Sequence, residues 1–282
     1  MARHRTFLRS MRLSLQHSMF QTWFQNWFQT WFLICAGILP VVEMAAAEPI
    51  VEKGERAEVN WSDLEVRYFG EATPEQQEKE SFKGTERRAW QDGMAAIEET
   101  LQLLGKGRIG MHVSAPRGSA SVGSARATSR STTYFGDGKV RVYLQSPLQQ
   151  VVVAALGEVS FSEAKPLANT TSVEGAYTGV VIQLGKKMAP MAVYKIFDES
   201  GERLFSLEDM SESGFRQSLM GRWFRRAGSA EIAAHVGDNP LIIKGKPSDS
   251  DNKIIIERSA WDATGRQAGF LLASGRAIIS TP

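Results

Sequence analysis

Three glycines spaced as in a phosphate-binding loop are the first feature of this 282-residue chain that could carry chemistry. Gly105, Gly107 and Gly110 match G-x-G-x-x-G, a pattern in which backbone amides at the start of a helix receive a pyrophosphate. In dinucleotide-binding folds the pattern follows a strand and opens a helix. Here it follows a helical pattern and opens an apolar run at 109–113 that predicts a strand. We therefore interpret the glycines as a helix stop followed by a turn.

Residue types used for nucleophilic or metal chemistry are sparse. Beyond residue 47 the chain has two histidines, His112 and His235, and neither has a carboxylate or a second histidine at metal-ligand spacing. The sequence has no G-x-S-x-G nucleophile elbow and no EF-hand spacing. It therefore predicts no catalytic residue, no cofactor and no metal site, and thus a protein that is not an enzyme.

A basic and aromatic segment is the strongest candidate interaction surface. Phe215, Leu219 and Trp223 are spaced as on one face of a helix, which we predict at 212–226. The candidate surface residues on it are Arg216, Arg222, Trp223, Arg225 and Arg226. Such a helix can bind acidic lipid headgroups or a partner protein. The preferred alternative is an amphipathic core helix with a charged outer face.

The N-terminus has the pattern of a secretory signal peptide. A segment with four arginines precedes an apolar run at 31–42, and three alanines follow at 45–47. The run is shorter than the roughly 18 residues that cross a bilayer. We expect cleavage after Ala47 and a mature protein in the periplasm or associated with the outer membrane.

Cleavage of the leader and its true start both have an open alternative. The aromatic repeat at 20–31 could belong to an uncleaved anchor, and Met11 could be the true start. The only cysteine, Cys35, follows Ile34 rather than a small residue, which argues against lipid attachment. After cleavage the chain would contain no cysteine, which excludes thiol catalysis and cysteine-ligated zinc.

Charge and composition exclude two further classes of protein. The chain has 33 basic and 31 acidic residues, and four of the arginines lie in the leader, so the remainder is close to neutral. A near-neutral chain lacks the polybasic footprint that nucleic acid requires. With 43% apolar and 23% charged residues, the chain is also too hydrophobic to be disordered.

The start of the first half predicts a strand and a long helix. Residues 48–58 lack periodicity and are interpreted as a solvated arm, whereas the partial alternation at 61–69 predicts a strand. Thr73 and Pro74 mark the N-terminus of a helix, and Gly105 marks its end.

This long helix is expected to pack on a sheet. Apolar residues recur every three or four positions, and the resulting stripe should bury Trp90 and Ile97. Three small residues of the same stretch, Ala89, Gly93 and Ala96, would allow the helix to approach the sheet closely.

A hairpin and one more strand complete the first half. Asp137 and Gly138 form a hairpin turn signal between strands predicted at 133–135 and 139–144. A further strand is predicted at 151–156, before a linker at 165–172.

The second half predicts several strands with helices between them. Asp198 to Gly201 is a turn signal. Strands are predicted at 178–184, 192–197, 240–244, 253–257 and 270–279, and a short helix at 229–235. The whole chain is thus expected to have an α+β fold, with a signal peptide at 1–47, a first domain at 48–165 and a second at 170–282.

The first half resembles the exported bacterial surface-lipoprotein family of the Lpp-twenty type, which includes the flagellar assembly lipoprotein FlgP. The matching segments are the strand at 61–69, the helical stretch 89–96, and the strand at 138–142 with Pro147 beyond it. The family's lipid-attachment cysteine has no counterpart here. The resemblance implies a role in the envelope or in flagellar assembly, and it transfers no catalytic residue.

The second half is similar to the second half of exported proteins that carry this first domain. The similarity comprises 177–182, Pro190, 197–201 and 238–244. Together the two resemblances cover most of 58–282.

We therefore expect a non-catalytic exported protein that acts by protein–protein contact. Its expected partners are envelope or flagellar proteins or a second copy of itself, with peripheral membrane contact as a further option and nucleic acid excluded. The alternative is a periplasmic hydrolase or ligand-binding protein whose polar site is assembled from distant residues. A deep pocket with converging carboxylates of shifted pKa would favour that alternative.

Overall fold

The computed structural model describes residues 48–74, 82–109, 127–156, 160–161, 177–248, 252–264 and 266–282. All of these described residues belong to one compact unit. Its helices and two sheets belong to the α+β class, as predicted. The predicted leader with its cleavage site and Cys35, His112 and the predicted linker lie outside the described residues.

Both halves of the chain contain strands and helices. The strands are β1 (Glu48–Pro49), β2 (Val51–Lys53), β3 (Ala57–Asn60), β4 (Glu65–Ala72), β5 (Thr128–Tyr134), β6 (Val140–Pro147), β7 (Gly179–Leu184), β8 (Lys195–Asp198), β9 (Arg203–Phe205), β10 (Arg222–Arg225), β11 (Pro240–Pro247), β12 (Lys253–Ile256) and β13 (Ala277–Thr281). The helices are α1 (Phe82–Leu104), α2 (Lys106–Ile109), α3 (Leu148–Leu156), α4 (Glu212–Ser218), α5 (Ser229–Val236), α6 (Arg258–Ala263) and α7 (Arg266–Ala273).

The first sheet is antiparallel, with the strand order β2-β3-β4-β6-β5. The predicted hairpin around Asp137 and Gly138 is confirmed as the connection between β5 and β6. The solvated arm predicted at 48–58 is wrong, because this segment contains β1, β2 and the start of β3. Strands this short carry no periodicity of their own. They form because neighbouring strands satisfy their backbone hydrogen bonds.

The α1 helix crosses the first sheet on β4 and β6. Gly70 of β4 faces Gly93 of α1 so closely that a Cβ on Gly70 would overlap backbone atoms of Gly93 and Ala89. The predicted close approach through small residues is therefore confirmed. Ile97 is 1% exposed, as expected, whereas Trp90 is only partly buried at the rim of the core.

The helix stop predicted at Gly105 is also confirmed, since this residue has φ +68° after the last residue of α1. The strand predicted to open at Ile109 is wrong within the described part, because 106–109 form the helix α2. The pattern G-x-G-x-x-G therefore starts between two helices. It does not have the strand-to-helix geometry of a dinucleotide loop.

Residues 151–156 form part of a helix, so the strand predicted there is wrong. Pro147 ends β6, and α3 begins at the next residue. The run of valines suggested a strand because β-branched residues favour extended backbone. In the fold, Leu148, Val151 and Val152 are buried at the i, i+3 and i+4 positions of one helical face.

The second sheet is mixed, with the order β1-β10-β13-β7-β11-β12-β8-β9. Its centre, from β10 through β13 and β7 to β11, is parallel. The β11–β12, β8–β9 and β1–β10 pairs are antiparallel.

The helix predicted at 212–226 is correct only in its first half. The α4 helix ends at Ser218, and positive φ values at Leu219 (54°) and Gly221 (146°) turn the chain into β10. The strand predicted at 270–279 is likewise divided, since α7 runs to Ala273 and β13 starts after Gly275, at φ +75°.

The two sheets share one continuous buried core. Trp61 and Trp223 are fully buried, and the Trp223 amide donates to the Trp61 carbonyl at 3.3 Å. Arg222 donates to the Ser62 carbonyl at 2.9 Å. The division into domains at 48–165 and 170–282 stays a prediction, and its boundary lies outside the described residues.

No helix within the described residues is both long enough and apolar enough to cross a membrane.

Candidate functional site

The outer face of the first sheet carries the most organised set of polar and aromatic side chains. Alternation along β4 buries Val66 and Tyr68 on the side of α1, and it leaves Arg67, Phe69 and Glu71 partly exposed on the other side. The same alternation on β6 brings Arg141, Tyr143 and Gln145 to this outer face. We call the set the β4–β6 face.

Two aromatic rings form the centre of the β4–β6 face. Phe69 and Tyr143 are directly opposite each other on adjacent strands, with ring centroids 6.1 Å apart and planes tilted by 50°. The guanidinium group of Arg141 lies 4.6 Å from the centroid of Phe69. It also donates to the Tyr143 hydroxyl at 3.3 Å. The rings and the cation are therefore held in one arrangement.

Paired charges lie on both sides of these rings. On one side, Glu71 accepts hydrogen bonds from Arg141 and from Lys139, the latter at 3.3 Å. On the other side, Arg67 pairs with Glu65 and lies 3.7 Å from Glu58. The aromatic pair is thus flanked by two rows of ion pairs.

A shallow cavity of about 420 Å³ lies between this face and the turn from β2 to β3. Side chains that line it include Lys53, Arg56, Glu58, Arg67, Phe69 and Tyr143. Arg56 donates to the Asp92 carboxylate at 2.7 Å and to the Asp92 carbonyl at 2.9 Å. The same carboxylate accepts from the Glu71 amide at 2.9 Å, so α1 fixes both the turn and β4.

The electrostatics of the face favour the ionised form of Glu71. Partial burial by itself would raise the pKa of Glu71, but hydrogen bonds from Arg141 and Lys139, with the attraction of both cations, outweigh it and lower the pKa below 4.5. A carboxylate with a lowered pKa is a poor general acid at neutral pH. The arrangement is suited to binding through ring contacts and charge-assisted hydrogen bonds.

The five residues of the predicted interaction surface do not share one helix face. Arg216 lies on α4, whereas Arg222, Trp223 and Arg225 lie on β10, and the exposed Arg226 follows it at φ 54°. The supposed helix is divided because the chain reverses at 219–221. Trp223 is fully buried and donates its indole N–H to the Met191 carbonyl at 2.9 Å, so it belongs to the core.

Three of the four arginines of that set have structural partners. Arg216 pairs with Glu212 at 2.8 Å, and Arg225 pairs with Glu48 at 3.1 Å. Burial lowers the pKa of Arg222, and this side chain lies against the first sheet. Arg226 is exposed, but it does not form one surface with the other four residues of the predicted set.

His235 lies within the described residues, beside an aromatic ring. The pKa of His235 is lowered mainly by burial and, to a smaller extent, by the positive charge of Arg222. The centroid of its ring lies 5.9 Å from that of Phe224. The described residues contain no group of three or more His, Cys, Asp or Glu side chains placed to hold a metal ion.

Sequence reasoning missed the β4–β6 face, although a signal for it exists. Arg67, Phe69 and Glu71 alternate with buried residues, and Arg141 and Tyr143 do the same. Aromatic and charged residues at the outward positions of two strands indicate a functional face if the two strands are neighbours in the sheet. Their pairing became visible only in the fold.

No protein-family model matches this chain, and no curated protein matches it.

Proposed function

We propose that this chain is an exported, non-enzymatic protein of the cell envelope that acts by protein–protein contact through the β4–β6 face. The observation that carries the proposal is the ordered stack of Arg141 on Phe69 beside Tyr143, at the centre of a partly exposed sheet face. Aromatic residues and arginine are enriched in protein interfaces and provide most hot spots.

The ion pairs around the stack support a binding role. A long side chain that must be immobilised on binding costs about 0.5–1.5 kcal/mol. Arg141 and Arg67 are already held by Glu71 and Glu65 before any partner arrives. Binding of a partner would therefore cost less side-chain entropy, because these two arginines are already ordered.

The envelope setting rests on the predicted signal peptide and on the family resemblance. Within it, an accessory role in flagellar or outer-membrane assembly is the specific form of the proposal, with envelope or flagellar proteins or a second copy of the chain as partners. Genes for flagellar components next to the gene for this chain would favour the flagellar form.

A second candidate function is binding of a small ligand in the cavity beside the β4–β6 face. Its volume of about 420 Å³ lies within the range of about 300–1,000 Å³ that is usual for ligand sites. Arg56, Arg67 and Glu58 would supply the polar contacts.

The first experiment places a photo-crosslinking amino acid at Thr133, an exposed position level with Arg141 on the β4–β6 face. Irradiation of living cells should give discrete protein adducts that mass spectrometry identifies as envelope or flagellar components. The same probe at Gln91, exposed on α1, should not give them. Equal adducts at both positions, or none at Thr133, would contradict the proposal.

Tyr143→Ala then tests the face itself. It should weaken the Thr133 adduct at least about tenfold, as expected for a hot-spot residue. Tyr134→Ala is the matched control, because this tyrosine is 52% exposed on the same hairpin but contacts Glu86 of α1 on the opposite side. A small molecule that co-purifies with the wild type and not with Arg67→Ala, together with no adduct, would favour the second candidate.

A further inference from the structure

The second sheet has an outer face that the described helices cover only in part. The α5 helix packs on the central strands β7 and β13, where Val181, Ile278 and Val236 belong to a small separate core. Farther across the sheet, Ile242 of β11 is 55% exposed. The part of this face that spans β11, β12 and β8 is therefore accessible.

The accessible part is rich in lysine. Residues at alternate positions of the three strands point away from the core. They are Lys195 and Phe197 on β8, Ile242, Lys244 and Lys246 on β11, and Lys253 and Ile255 on β12, and we call them the lysine face.

Strand register brings these residues together. Ile255 pairs with Phe197 on one side and with Lys246 on the other, and Lys253 pairs with Lys195. The ammonium group of Lys253 lies 5.4 Å from the centroid of the Phe197 ring. Three strands span about 10 Å, because adjacent strands lie about 4.8 Å apart. The four lysines and three apolar residues thus form one continuous patch.

Among the described residues, no neighbouring acid pairs with the lysines of this face. Ion pairs in the described part join Lys53 and Lys139 to glutamates, but none of the four lysines of the face is in an ion pair with a described carboxylate. Glu257, directly after β12, is exposed and pairs with none of them. Clustered unpaired cations on a flat surface attract anions.

We propose that the lysine face binds the phosphate headgroups of an anionic membrane, with Ile242, Ile255 and Phe197 entering the interfacial region. This surface lies on the second sheet and is independent of the β4–β6 face. Its chemistry is that of peripheral membrane binding, which combines lysines for the headgroups with apolar side chains between them.

The residue composition of the lysine face favours a membrane over an acidic protein or a single-stranded nucleic acid. Lysine is depleted in protein–protein interfaces, where arginine and aromatic residues dominate. Single-stranded nucleic acid is usually held by several stacking aromatic rings, whereas this face offers only Phe197, already in contact with Lys253.

The test uses the chain as it is processed and purified from expressing cells, with vesicles of phosphatidylcholine alone or with added phosphatidylglycerol. We expect binding that requires phosphatidylglycerol and falls as salt is raised, since headgroup attraction is screened. The double variant Lys244→Gln/Lys246→Gln should weaken binding about 30-fold, because each lysine near an anionic surface contributes about fivefold.

The matched control is Lys186→Gln/Lys187→Gln, which removes two exposed lysines outside the lysine face. It should change vesicle binding less than about twofold, and near-UV circular dichroism should show both double variants folded. Ile242→Ser should weaken binding without changing its salt dependence, since it removes an apolar contact only.

Three outcomes would overturn the proposal. The first is equal binding to vesicles with and without phosphatidylglycerol. The second is equal loss in the two double variants, which would reduce the effect to net charge. The third is binding to a single-stranded oligonucleotide that Lys244→Gln/Lys246→Gln weakens, without vesicle binding, which would assign the face to nucleic acid.

Discussion

Glu71 links the electrostatics of the β4–β6 face to the stability of the first sheet. Its side chain accepts from Arg141 and Lys139, and its backbone amide donates to Asp92 of α1. One residue therefore connects the aromatic pair, the hairpin and the helix behind the sheet. The side chain is partly exposed, so solvent reduces the strength of its ion pairs.

The lowered pKa of Glu71 predicts a specific dependence of stability on pH. A carboxyl whose pKa is lower in the folded state stabilises the fold above its ordinary pKa, and this contribution is lost as the pH falls through the folded value. The free energy of unfolding should therefore decrease as the pH is lowered from about 4.5. Glu71→Gln should be less stable than the wild type at pH 7, and the difference should shrink in acid.

Urea unfolding of both proteins across this pH range measures the effect. Glu257→Gln, at an exposed carboxylate directly after β12, serves as the control and should keep the wild-type profile. A constant difference between Glu71→Gln and the wild type at every pH would argue against the assigned ion pairs.

At the scale of elements, the packing of α1 on β4 depends on two facing glycines. A Cβ added to Gly93 would lie 2.6 Å from the Leu144 side chain, so the helix also packs closely on β6 at this position. The helix can lie this close to the sheet because Gly70 and Gly93 have no Cβ at the contact.

Gly70→Ala should destabilise the protein by about 1–3 kcal/mol or more, because the new methyl group overlaps backbone atoms that cannot rotate away. Gly136→Ala is the matched control, since a Cβ there has no heavy atom within 4 Å. It should change stability by no more than about 0.5 kcal/mol, as for ordinary surface positions. Chemical denaturation compares the two, and similar losses would mean that α1 does not cross at Gly70.

At the scale of the whole molecule, Arg108 joins the two sheets. Its guanidinium group donates to Glu52 at 2.7 Å and to the Pro190 carbonyl at 2.8 Å, and it lies 5.2 Å from the centroid of the Trp61 ring. The Arg108 carbonyl accepts from the Ala192 amide at 2.9 Å. The short helix α2 thus positions a side chain whose partners come from both halves of the chain.

Arg108→Lys should lower the free energy of unfolding by about 1–3 kcal/mol, because an ammonium group cannot reproduce the planar fork that reaches two acceptors and stacks on Trp61. Arg87→Lys, at an exposed position of α1, should have little effect. Because the sheets share one core, unfolding should stay a single transition in the wild type and in both variants. Two separate transitions in the wild type would contradict a shared core.

The sequence by itself determined those elements whose signals are local. The α1 helix and its stop at Gly105, the hairpin at Asp137 and Gly138, and the close approach at Gly93 follow from periodicity, turn chemistry and side-chain size. The helix, its stop and the hairpin depend on contacts within one helix or one turn, which a reading of neighbouring residues can recognise. For the close approach, the sequence indicated only the small residues of the helix, and the facing Gly70 was found in the fold.

The tertiary structure decided the rest, because the deciding partners are distant in the chain. Segment 222–225 has an amphipathic pattern but becomes a strand, since β13 and β1 supply its backbone hydrogen bonds. The β4–β6 face exists only because Phe69 and Tyr143 are placed opposite each other across two strands. Register between strands that are far apart in sequence is set by the buried face of the sheet, and no single segment encodes it.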